Sequence, residues 1–121
     1  MNEPRLGVWP DTPPREHQLM AVIRSLAQQS ELVIWTDHAF DRVADRDSRS
    51  DVILNDKQAL RILKIGDIKG TIRPGQEANE WIVKVVGPIN HERGAREVGV
   101  VTAVLKAEQL IVMTIEWEDR R

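Results

Sequence analysis

The chain has 121 residues, of which 41% are apolar and 30% charged; this is the composition of a globular domain long enough to fold without a staple. Cysteine is absent, which excludes thiolate nucleophiles, thiolate zinc sites and iron–sulfur clusters. With 17 basic and 19 acidic side chains the net charge is −2, so a nucleic-acid role has to come from a local patch.

Residues 1–31 read as an N-terminal arm and helix, and 32–121 as an α+β domain. The arm carries Pro4, Gly7, Pro10 and Pro13 with little periodicity. Thr12 before Pro13 and Pro14 is a plausible helix start, because proline is pre-organised for the first turn. Leu19, Met20, Ile23, Leu26 and Ala27 follow a helical spacing that predicts a helix from about 14 to 29. No apolar stretch reaches the roughly 20 residues of a membrane helix. The first thirty residues contain no block of signal-peptide type, so the expected location is cytoplasmic.

Leu32-Val33-Ile34-Trp35 is short, β-rich and apolar, and predicts a buried strand. Thr36 can cap a second helix from Asp37 to about Arg46, with Ala39, Phe40, Val43 and Ala44 on its apolar side. A third helix from Asn55 or Asp56 to Ile65 presents Ala59, Leu60, Ile62 and Leu63, and Gly66 is its C-terminal stop. The period then changes to that of strands: Ile68–Arg73, Trp81–Val86, Arg96–Leu105 and Leu110–Trp117, with breaks at Pro74-Gly75 and Gly87-Pro88. Short connections force antiparallel neighbours. The expected fold is therefore an N-terminal helix, then strand–helix–helix and a four-strand antiparallel meander. The early strand is expected to pair with it, and the helices to cover one face.

The second helix holds the most informative charges. At about 100° per residue, His38, Arg42 and Arg46 form one column, and Asp37, Asp41 and Asp45 a second beside it. The i, i+4 pairs are like-signed, which a merely solvated helix avoids. Two guanidiniums one turn apart can grip a phosphate, and His38 at the positive end of the helix is suited to general-base work as a neutral imidazole. The structural alternative pairs Arg42 and Arg46 with strand carboxylates and leaves His38 as a cap or a contact of Trp35.

Among the strands, Lys84 is either an edge gatekeeper or a cation held over a functional face. Arg96, Thr102, Thr114 and Glu116 are candidates for the same face, and the two-residue spacing of Thr114 and Glu116 makes them share one. His91 in a polar hairpin loop and His17 on the first helix read as solvated. Three scattered histidines make no metal site, and no phosphate-loop or nucleophile-elbow pattern exists, so no cofactor is expected. The tryptophans at 9, 35, 81 and 117 read as core or interface anchors.

From Val33 onward the chain resembles a small bacterial family of domains of unknown function that groups with RelE- and BrnT-like ribonuclease toxins. The resemblance is carried by Trp35-Thr36-Asp37-His38-Ala39-Phe40-Asp41-Arg42 with Arg46, Ile65-Gly66-Asp67-Ile68 and Val83-Lys84-Val85-Val86-Gly87. Val98-Gly99-Val100-Val101 and Ile111-Val112-Met113-Thr114-Ile115 complete it. It implies a RelE-like sheet and RNA cleavage by a toxin-like protein. His38, Arg42, Arg46, Lys84 and Thr114 fall on the family's pattern, and the implied partners are RNA and an antitoxin. Two functions follow: a metal-independent endoribonuclease, with His38, Arg42, Arg46 and Lys84 catalytic and Arg96, Thr114 and Glu116 binding substrate, or a non-enzymatic protein-binding module of a mobile element. A free edge strand would also allow a homodimer.

Overall fold

The computed structural model describes residues 12–40, 55–91 and 94–118. The expected second helix beyond Phe40, including Arg42 and Arg46, and the arm up to Asp11 lie outside the described residues.

Helix α1 spans Glu16–Ala27, beginning two residues later than the prolines suggested. Arg15 stays extended (φ −71°, ψ 150°), and its N–H donates to the Gln18 side chain at 3.4 Å while its carbonyl accepts from Leu19. A 3-10 turn, Ser30–Leu32, leads into strand β1, Val33–Trp35. Residues 37–40 form a turn, across which the Phe40 ring stacks on Trp35 with centroids 5.8 Å apart. Helix α2 spans Asp56–Ile65 and is capped by the Asn55 side chain, which accepts from the Gln58 N–H at 3.0 Å.

Four further strands follow: β2 (Asp67–Pro74), β3 (Glu80–His91), β4 (Gly94–Leu105) and β5 (Gln109–Trp117). The fold is α+β, but the sheet has five strands in the order β1-β5-β4-β3-β2. β1 lies parallel to β5, whereas β2, β3 and β4 each pair antiparallel with the strand that follows.

Strand β3 runs through Gly87-Pro88, where the sequence pattern predicted a break. The Glu97 carbonyl opposite Pro88 accepts from Glu118 on the β5 side. Pro88 therefore sits in a non-hydrogen-bonded pair with β4, and its missing N–H points away from that strand. On that side β2 has already ended, since Asp67 opposite Val86 is its first residue. A proline there costs the ladder nothing.

The helices cover one face of the sheet. Leu19, Ile23 and Leu26 of α1 and Ile62 and Leu63 of α2 share a single core with Val83, Val85, Val98, Val100, Leu110 and Ile115. Helix α1 is thus built into the same core as the strands. Gly66 ends α2 with extended backbone (φ −80°, ψ −175°), not the left-handed conformation that usually selects glycine at a helix end. Its requirement is steric, because a Cβ would lie 2.6 Å from the Val86 carbonyl oxygen and 2.8 Å from that of Ile62. Glycine here lets the helix end press against β3, and Arg24 of α1 reaches over to bond the Gly66 carbonyl at 3.0 Å. Among the described residues no helix is long and apolar enough to cross a membrane.

Candidate functional site

The face opposite the helices carries the charges. Lys84 stands between Val83 and Val85, which are 2% and 0% exposed in the core, so strand alternation turns Lys84 to the uncovered side. Its register partners are Lys69 on β2 and Val101 on β4, and Val101 is in turn opposite Thr114 on β5. β3 is an interior strand, so the gatekeeper reading of Lys84 is corrected: no exposed edge exists there to protect.

Like charges directly opposite on neighbouring strands repel. Lys69 and Lys84 are held together by Glu118, which lies just past β5 and donates its N–H to the Glu97 carbonyl at 2.9 Å. Its carboxylate reaches Lys84 Nζ at 3.0 Å and Lys69 Nζ at 3.5 Å, with the side chain only 8% exposed. Glu116 approaches Lys84 at 3.8 Å. The space for this cluster comes from Gly99, where a Cβ would lie 2.7 Å from Glu118 Oε2 and 3.0 Å from Lys84 Cδ.

A groove of about 390 Å³ opens beside the cluster, lined by Lys69, Thr71, Arg73, Lys84, Val101 and Glu116. Its β2 wall depends on an irregularity: between the Lys69–Lys84 and Arg73–Ile82 pairs, β2 has three residues where β3 has one. Gly70 takes φ +88° within that stretch, a conformation suited to glycine. The bulge thereby leaves Lys69, Thr71 and Arg73 on one wall.

The residues singled out from sequence divide between several places. Thr114 and Glu116 share the Lys84 face, as their spacing requires. Arg96 and Thr102 do not, which corrects the expectation that all four would line one face. Arg96 is paired in register with the buried Ile89, and its guanidinium carbon lies 3.9 Å from the centre of the Trp117 ring. Thr102 is fully buried beside Val83, and its hydroxyl donates to the Ile111 carbonyl at 3.1 Å.

His38 is exposed in the turn after β1. Bonds from the Thr36 N–H to the Val112 carbonyl and from the Ile115 N–H to the Ala39 carbonyl pin that turn alongside β5. Its backbone is therefore three strand spacings from β3, about 14 Å. Arg42 and Arg46 lie outside the described residues, as does the side chain of His91; His17 is exposed on α1.

Sequence reasoning missed Lys69, Thr71, Arg73 and Glu118. The signal was present as period-two spacing, Lys69-x-Thr71-x-Arg73 and Thr114-x-Glu116-x-Glu118, although only the register brings the two sets together. No protein-family model matches the chain, and neither the curated proteins nor the solved structures provide a match.

Proposed function

We propose that the protein is a toxin-like, metal-independent endoribonuclease with a RelE-like sheet, which receives RNA across the uncovered face. The observation that carries this reading is the groove in which the Glu116 carboxylate stands 3.8 Å from the Lys84 ammonium, with Arg73 and Lys69 along the facing wall. RNA cleavage without a metal needs a base for the ribose 2′-hydroxyl, a proton for the departing 5′-oxygen and positive charge on the phosphate. A carboxylate supplies the first, an ammonium the second, and a guanidinium can grip phosphate oxygens in bidentate fashion. The resemblance offers His38 as an alternative base, with Arg42 and Arg46 on the phosphate.

Purified protein is expected to cleave single-stranded RNA in the presence of a chelator. His38→Ala should slow cleavage by about 10²–10⁴-fold if His38 is the base. Cleavage undiminished by that change passes the role to Glu116, for which Glu116→Gln is the test. An absence of cleavage in RNA of any form, ribosome-bound included, overturns the nuclease reading.

A second reading, a non-enzymatic protein-binding module of a mobile element, is favoured by one observation. Ile34 and Met113 on β1 and β5 are 43% and 37% exposed, while both lysines of the groove are already neutralised by carboxylates. A salt titration separates the two. Contact with two or three phosphates gives a log–log slope of roughly −1.5 to −2.5, and no RNA affinity at low salt favours the protein-binding module.

A further inference from the structure

Two lysines facing each other across neighbouring strands repel, and an anion held between them relieves that repulsion. Here the anion is part of the chain: Glu118 gives one oxygen to each ammonium, 3.0 Å from Lys84 and 3.5 Å from Lys69. The carboxylate is 8% exposed, and the two lysines it holds line a groove that also carries Thr71, Arg73 and Glu116. Among the described residues, Arg73 has no ion-pair partner. The hold on Glu118 also differs between its atoms. Its backbone N–H is fixed to the Glu97 carbonyl, so the side chain can swing away without disturbing the strand.

We propose that Glu118 is a built-in stand-in for a phosphate group, and that Lys69, Lys84, Thr71 and Arg73 form a phosphate-binding subsite that this carboxylate keeps closed. A carboxylate has two oxygens and one charge, and both oxygens are used by the lysines. A phosphate monoester has three free oxygens and up to two negative charges, so it can replace those two contacts and add Arg73 and the Thr71 hydroxyl. Entry of the ligand therefore exchanges one anion for another, and the exchange sets a threshold against weak anions. The inference rests on the ribonuclease reading only for the identity of the phosphate-bearing ligand; the clamp itself is tested with inorganic phosphate.

The experiment is a titration of the full chain with inorganic phosphate at low ionic strength, comparing wild type with Glu118→Gln. The variant should bind phosphate about ten-fold more tightly, equivalent to about 1.4 kcal/mol, and Glu118→Gln combined with Lys84→Met should lose that gain. A Glu118→Gln protein with a native thermal melt that binds phosphate no tighter than wild type overturns the proposal, as does a gain that survives the loss of Lys84. A measurement on the wild type alone covers the case of a variant that fails to fold. Saturating phosphate should shift the Glu118 carboxyl and Lys84 side-chain resonances together, and no shift at either overturns the proposal. RNA binding is measured in parallel. Tightened phosphate binding without any RNA affinity supports the clamp and rejects the ribonuclease, whereas RNA cleavage with unchanged phosphate binding does the reverse.

Discussion

Along β3, Val83 and Val85 point into the core closed by α1 and α2, whereas Lys84 between them points to the uncovered face, beside Lys69, Glu116 and Glu118. The packing on the two sides differs in kind. On the covered side the neighbours are backbone and short apolar side chains with nowhere to go. On the open side they are the ends of long charged side chains, which can swing into water. The same strand thus carries a rigid surface that sets stability and an adjustable one that a ligand can rearrange.

Three substitutions test that contrast. The largest effect is expected for Ile62→Ala on α2, a fully buried side chain, which should cost about 3 kcal/mol in urea unfolding with the slope unchanged. A loss under about 1 kcal/mol would mean that the covered face repacks freely, against the idea of a rigid side. Next comes Gly66→Ala, whose new methyl would press on two backbone carbonyls and should cost about 2 kcal/mol. The smallest is Gly99→Ala on the open side. There the atoms nearest the new methyl are the Glu118 carboxylate and the Lys84 stem, which can swing aside, so a loss below about 1 kcal/mol is expected. The same change should loosen the Glu118–Lys84 pair and tighten phosphate binding. If Gly99→Ala destabilises as much as Gly66→Ala, the two faces are equally rigid and the contrast fails.

Several features were legible in the residue order because they are local. The asparagine at 55 and the apolar spacing from Ala59 to Leu63 mark α2, and alternation marks the strands. Alternation also puts Thr114 and Glu116 on one side of β5, whatever lies next to it. The Gly87-Pro88 pair misled because proline is a strand breaker only where its N–H is needed. That depends on where β2 stops. Arg96 misled for a related reason: strand alternation and its register opposite Ile89 put it on the face of Trp117, not on that of Thr114.

The sequence by itself therefore determined the α+β class, the α2 cap, the strand periods and which side chains share a face within one strand. The tertiary structure alone decided that Lys69 stands opposite Lys84, that Gly99 leaves room beside them, and that Glu118, 34 residues beyond Lys84, supplies the charge between them. The reason is physical. Helical and strand periods are fixed by backbone geometry a few residues at a time, whereas pairing register is set by packing and turn geometry across the whole sheet.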